Sequence, residues 1–223
     1  AQTMHGTLTR QLVHVASLAP DKPALCDAQC SYTFAEVLER ARRLAALVRE
    51  ATDRPRVGVL LPTGSWFGIA FFACQFADRA VVPLSQILKP SDVRFALDDS
   101  GVDAVITTGS VAALLNGWDG RRIHVEEIPW DRLSPDASEP ASAEPDAPAA
   151  VLYTAGNEAR PKGGVMTHRN LLSNLDALRE TARLTSDDVY LGVLPMSHAF
   201  ALLGTLIAPL CLGARVYYVD RFI

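Results

Sequence analysis

Three short apolar runs, Val57 to Leu61, Val81 to Leu84 and Val102 to Thr107, are separated by two stretches long enough to be helices. Runs this short, rich in β-branched residues and free of polar alternation, suit strands buried on both faces. Two successive strand-helix-strand units imply a mostly parallel sheet, because a parallel neighbour is reached by a crossover and the crossover helix covers a face. The expected fold class is α/β, with mostly parallel sheets flanked by helices.

The intervening segments carry their own start and stop signals. Thr7 is expected to cap a first helix from Leu8 to Ala19 that stops before Pro20, and Pro23 to Thr33 reads as a hairpin. Thr33 and Glu36 make a capping box, after which Phe34, Val37, Leu38, Ala41, Leu44, Ala45 and Val48 recur at helical spacing. Pro62-Thr63-Gly64-Ser65 turns the chain into an apolar helix reaching Phe76, and Ser91 is expected to cap a further helix that Gly101 ends. From Pro129 to Ala150 the composition shifts to Pro, Ala, Ser and acid, and Pro135, Pro140, Pro145 and Pro148 rule out a regular element. Residues 129–148 are therefore expected to form a linker or long surface loop between an α/β subdomain at 1–128 and a second, incomplete one at 149–223.

Composition narrows the function. Of the 223 residues 49% are hydrophobic and 21% charged, ample for a packed core, and a net charge of −4 without a basic run argues against a nucleic-acid partner. Arg40, Arg42 and Arg43 read as the solvated face of their helix. The start AQTMHGTLTR lacks the apolar core of a secretory leader, so none is expected. Val189 to Ala214 contains no Asp, Glu, Lys or Arg, but Pro195, His198, Gly204 and Pro209 break it, and a buried strand and helix explain it better than a membrane span. Cys26, Cys30, Cys74 and Cys211 lack paired metal spacing and read as reduced thiols, which fits a cytoplasmic protein; no metal site is expected from the side chains. Trp66, Trp118 and Trp130 form no recognisable pattern.

The stretch richest in chemistry is VLYTAGNEARPKGGVMTHRN, Val151 to Asn170. An apolar strand runs into a polar, glycine-containing loop with a lysine, and a helix capped by Thr167 follows. Such a loop offers backbone N–H groups and a cation to an anionic ligand. It is not the phosphate loop of nucleotide hydrolases, since Pro161 precedes Lys162 where glycine is wanted and Gly163 follows where Ser or Thr is wanted. It resembles instead the signature Y-T-S-G-T-T-G-x-P-K-G, followed by T-H, of the adenylate-forming superfamily: acyl- and aryl-CoA synthetases, peptide-synthetase adenylation domains and luciferases. Tyr153, Thr154, Gly156, Pro161, Lys162, Gly163, Thr167 and His168 stand in register with it. Ala155 replaces the serine, Asn157 and Glu158 the two threonines, and Ala159 the second glycine. A Glu158 carboxylate ~4 Å from a phosphate charge would repel it by about 4 kcal/mol at an effective dielectric of 20.

Two further stretches carry the same resemblance. LPMSHAF, Leu194 to Phe200, resembles the family's L-P-x-x-H element beside the acyl pocket, and a histidine just past a strand's carboxyl end is well placed for a ligand crevice. In LLPTGSWFGIAFFACQFADRAVVPL the family's usual Ala-Gly pair before the Val-Pro strand is Ala77-Asp78.

The resemblance implies two stacked subdomains of an enzyme's N-terminal domain. It implies an acid–CoA ligase of the fatty-acid type that joins a carboxylic acid, expected to be a fatty acid and apolar to judge by Phe200, Leu202 and Leu203, to the α-phosphorus of Mg-ATP and passes the acyl group to CoA or a carrier-protein thiol. Thr154, Ala155, Gly156, Asn157, Lys162 and Gly163 would face the ATP phosphates, and His198 and Phe200 the acyl pocket; no catalytic residue is assigned. ATP, Mg2+ and CoA are the implied cofactors. The family's ribose-binding aspartate and its C-terminal domain with the catalytic lysine have no counterpart here, so this stretch by itself is expected not to complete adenylation, and that C-terminal portion becomes an implied partner. The alternative is a non-catalytic relative, serving as an interaction or scaffold module, whose altered loop no longer binds ATP.

Overall fold

In the computed structural model, which describes residues 6–134, 144–154 and 161–219, two sheets enclose a layer of helices. Thr7 Oγ1 accepts from the N–H of Arg10 at the start of α1 (Leu8–Leu18), whose Leu8, Leu12, Val15 and Ala16 are buried at helical spacing. Strands β1 (Pro23–Cys26) and β2 (Ser31–Thr33) form the expected hairpin. Its turn is held by Asp27 Oδ1, which accepts from the N–H groups of Gln29 and Cys30 at 2.9 and 3.0 Å. The Thr33–Glu36 capping box starts α2 (Phe34–Ala51).

Strand β3 (Arg56–Leu60), helix α3 (Ser65–Phe76), strand β4 (Ala80–Pro83), helix α4 (Pro90–Ser100) and strand β5 (Ala104–Thr107) realise the two predicted parallel units. Helix α4 departs from expectation at its start: Lys89 occupies the cap position and Pro90 the first turn, so Ser91 lies inside the helix. Proline is suited to that first turn because its missing N–H would be unsatisfied there anyway. Gly101 ends α4 with φ 68°.

The remaining strands close both sheets across the sequence. Strands β6 (Arg121–His124), β7 (Pro148–Thr154) and β8 (Lys162–Thr167) complete a six-stranded sheet in the order β6-β5-β3-β4-β7-β8, with β8 antiparallel to β7. After α5 (His168–Ala182), strands β9 (Val189–Gly192) and β10 (Arg215–Tyr218) join β1 and β2 in a four-stranded sheet, order β2-β1-β10-β9. Between β9 and β10 run α6 (Ala199–Leu202), a π-helical turn (Leu203–Ile207) and α7 (Ala208–Leu212). The boundary expected at 129–148 therefore does not separate sheets: β7 finds its parallel partner in β4, and β10 finds its own in β1.

Helix α3 is the keystone of the interior. It touches β1 of one sheet and β3 and β4 of the other, and its Phe67, Phe71, Phe72 and Phe76 are at most 1% exposed. Each such side chain contributes roughly 1.5–3 kcal/mol by leaving water. Gly68 lets the helix approach: a Cβ there would sit 2.8 Å from Leu25 Cδ1 and 2.9 Å from Leu206 Cδ1. No described helix is long and apolar enough to cross a membrane.

Candidate functional site

The carboxyl ends of strands from both sheets converge on a hollow of about 460 Å³, lined among others by Asp27, Thr63, Trp66, Thr108, Val193 and Val219. This is where an open α/β architecture places ligands, since the strand-to-helix loops gather there. The loops of the two sheets are tied together across it. Thr63 Oγ1, after β3, donates to the carbonyl of Leu194, after β9, at 3.3 Å. Asp27 Oδ2, after β1, accepts from the N–H of Ser65 at 3.1 Å.

The second bond settles the local electrostatics. Gly64 stands at the cap of α3 and has no side chain to offer, so the carboxylate of Asp27 meets the positive end of the helix. Burial works to raise the Asp27 pKa, but hydrogen bonds from Ser65, Gln29 and Cys30 outweigh it and hold the group below its ordinary range. That helix end is thereby satisfied from within.

The signature segment has a different setting from the one expected. Its loop opens between two antiparallel strands, because Lys162–Thr167 pairs along the free edge of β7 before α5 begins. Thr154 and Lys162 are direct partners at the loop's neck, and Tyr153 faces Gly163. A Cβ on Gly163 would lie 3.0 Å from Tyr153 Cζ and 3.1 Å from Val151 Cγ1, so glycine here makes room for the ring. Tyr153 in turn donates its hydroxyl to Asp99 Oδ2 at 2.6 Å and meets Phe95 edge to face at 6.4 Å, anchoring the neck on α4. Burial, and then the Asp99 carboxylate, push that hydroxyl's pKa well up. Lys162 and Gly163 are exposed. Ala155, Gly156 and Asn157 lie outside the described residues, as do Glu158 and Ala159.

The strand registers bring the other parts to the same end of the molecule. Extending the Val81–Ala150 pairing sets Thr154 level with Ser85, just past β4. Ser85 lines a narrow cleft with Pro195, Met196 and Ser197. His198 follows at the cap of α6, exposed and without a capping side-chain bond, and Phe200 is 73% exposed. Neither His198 nor Lys162 is among the residues lining the larger hollow; the Val193–Ser197 stretch reaches the two hollows instead.

Thr167 caps α5, with Asn170 completing a capping box, and His168 is buried with Nδ1 accepting from the N–H of Leu8 at 3.3 Å. Loss of solvation pushes its pKa down to about 4, so the ring is neutral.

The tryptophans and the basic group, read separately in the sequence, belong together. Trp66 and Trp130 stack with centroids 5.2 Å apart, Tyr32 meets Trp66 at 5.8 Å, and the Arg40 guanidinium lies 4.8 Å from the Tyr32 ring and 5.4 Å from that of Trp130. Arg43 donates to the carbonyl of Leu133 at 2.7 Å. The group is thus half-buried and engaged rather than a solvated face, because flat guanidinium groups stack on aromatic rings at little desolvation cost. Trp66 reaches the hollow from this cluster. The cysteines are free, and among the described residues no cluster of three His, Cys, Asp or Glu side chains could hold a metal.

The crevice at the strand ends, the hairpin neck and the element order define an adenylate-forming fold. The AMP-binding enzyme family model matches residues 12–223, and the chain belongs to that family. It is 33% identical over 222 residues to a feruloyl-CoA synthase of a Streptomyces species, covering 94% of this chain and 43% of that protein. It is 26% identical over 249 residues to the mitochondrial malonate–CoA ligase of Xenopus laevis, covering 99% and 42%. Among solved structures, the o-succinylbenzoate coenzyme A synthetase of Bacillus subtilis in complex with AMP superimposes with a TM-score of 0.85 at 25% identity, over 96% of this chain and 56% of that one. The chain spans less than half the length of the curated relatives named here.

Proposed function

We propose that this chain is the N-terminal part of an AMP-forming acid–CoA ligase. A carboxylate oxygen of the substrate attacks the α-phosphorus of ATP and pyrophosphate leaves. A thiol sulfur then attacks the acyl carbon and AMP leaves. The observation that carries this reading is the pairing of Thr154 with Lys162 at the carboxyl end of β7, which brings both ends of the signature loop to the side of the sheet where the hollow lies. Lys162 supplies a cation there for the phosphates, with the backbone N–H groups of the loop as its partners in that role. Thr154, Ala155, Gly156, Asn157 and Gly163 complete the proposed phosphate-binding set, and His198 and Phe200 the acyl side. Mg2+ would be held chiefly by the phosphates, as its preference for substrate oxygens and water allows.

The acid is proposed to have an apolar body. Ile87, Leu194, Phe200 and Val219 are apolar and 41–73% exposed, and each lies in a segment that follows the carboxyl end of a strand, the end on which the acid is proposed to bind. The relatives are named for feruloyl and malonyl acceptance by CoA, and CoA is the proposed acceptor here, in a cytoplasmic setting and with the remainder of a longer enzyme as the partner that completes the reaction.

Calorimetric titration with Mg-ATP tests the reading on the chain and on a Glu158→Thr/Ala159→Gly double variant. Saturable binding by the unaltered chain is expected. Binding gained only in the double variant would overturn the ligase reading in favour of a non-catalytic relative.

A further inference from the structure

The start of β8 has little of its own to hold it. Lys162, Gly163, Gly164 and Val165 are exposed, and only from Met166 onward does the strand pack against the core. It lies on the edge of the sheet, hydrogen-bonded to β7. The connection from Thr154 to Lys162 is longer than the tight turns that set register in a short hairpin. Glycine-rich strands of this kind are prone to slip, and a slip of one residue turns every side chain to the other face. The observed register nevertheless sets Lys162 opposite Thr154 and Gly163 opposite Tyr153.

What distinguishes that register is the Tyr153 ring. A Cβ on Gly163 would lie 3.0 Å from Tyr153 Cζ and 3.2 Å from its hydroxyl oxygen, so the ring in this position admits only glycine opposite. A shift that brought Gly164 there instead would turn Met166 off the core. The ring is in turn held by α4. Asp99 Oδ2 accepts from the Tyr153 hydroxyl at 2.6 Å, and Phe95, one turn earlier, meets the ring edge to face. Burial and the carboxylate together keep the hydroxyl protonated, and so a donor. Helix α4 is a firm base for this contact. Val93, Ala96 and Leu97 are buried in one cluster with Leu60, Val82 and Val105, and Arg56 Nη1 donates to the carbonyl of Ser100 at 3.0 Å.

We infer that Asp99 is a positioning residue for the signature loop: by pinning the Tyr153 ring against Gly163 it keeps β8 in register, and with it the place of Lys162 at the loop's neck. A ring freed from Asp99 can swing away from Gly163 and leave the start of the strand to its backbone bonds. That Lys162 so placed serves phosphates rests on the ligase reading above; the register does not.

Two readouts test it on the full chain: amide hydrogen exchange followed by NMR, and calorimetric titration with Mg-ATP. Asp99→Leu and Tyr153→Phe are each expected to speed exchange of the β8 amides bonded to β7 about fivefold, with no further gain when combined and no change in β3 and β5. Asp99→Asn, whose carbonyl oxygen still accepts from the hydroxyl, should exchange as the unaltered chain does. Mg-ATP binding should weaken about threefold in Asp99→Leu and hold in Asp99→Asn, since only the fraction of molecules with Lys162 in place binds well. Unchanged β8 exchange in Asp99→Leu, an equal rise across β3 and β5, or Asp99→Asn exchanging as fast as Asp99→Leu each overturns the inference. Unweakened Mg-ATP binding by Asp99→Leu overturns its link to phosphates. If the unaltered chain binds no Mg-ATP, the ligase reading falls and exchange alone decides the register.

Discussion

The carboxylate of Asp27, in the turn of the β1–β2 hairpin, caps helix α3 through the N–H of Ser65 at 3.1 Å. A turn of the four-stranded sheet thus completes a helix that grows out of the six-stranded one, at a point where the local residue, Gly64, cannot do so. Cap and crevice wall are the same side chain.

Asp27→Ala is expected to lower stability by about 1–2 kcal/mol, the usual cost of a lost helix cap. Urea unfolding followed by circular dichroism measures it. An unchanged midpoint would show that water replaces the carboxylate without loss.

His168 gives the fold a defined response to acid. An unfolded histidine titrates near 6.5, whereas burial holds this one at about 4. The unfolded chain therefore takes up its proton first. Stability is full above pH 6.5, declines as pH falls from 6.5 to 4, and loses about 3 kcal/mol over that window. His168→Gln should flatten this part of the profile, read from urea midpoints at pH 7 and pH 4.5.

The neck of the signature loop is tethered to α4 through Tyr153 and Asp99. A double-mutant cycle with Tyr153→Phe and Asp99→Ala should return a coupling of about 1 kcal/mol. Gly163→Val should cost about 1–3 kcal/mol by overpacking against the ring, and less when combined with Tyr153→Ala.

Asp78 holds φ 57°, the left-handed region, at the end of α3 where the family's pattern has glycine. Asp78→Gly is expected to raise the midpoint of thermal unfolding, by relief of about 1 kcal/mol of backbone strain.

Much of this was readable because the information is local. The Thr33–Glu36 box, the spacing from Phe34 to Val48 and the β-branched runs at Val57, Val81 and Val102 depend on neighbours within a few residues, as do the signature residues around Lys162. Strand β8 escaped notice because Lys162-Gly163-Gly164 carries no apolar alternation; it is a strand because β7 offers a free edge. Strand β6 begins with Arg121 and Arg122 and was hidden for the same reason. The joining of Tyr32, Arg40, Trp66 and Trp130 follows no period, since only the packed fold sets them side by side. Asp27 falls within the expected Pro23–Thr33 hairpin, but its bond to Ser65 is invisible until both sheets are in place.

The pairing of Leu25 with Val216 and of Cys26 with Tyr217 also bears on how the protein is made. Nearly the whole described chain lies between the partners, so β1 and β2 leave the ribosome long before β10 exists to receive them. A lone two-stranded hairpin is marginal in water, and distant pairings form late. The six-stranded sheet, built from nearer neighbours, is expected to consolidate first during synthesis. The amino-terminal hairpin then waits with its apolar flank uncovered, which makes it the part of a nascent chain most in need of a chaperone.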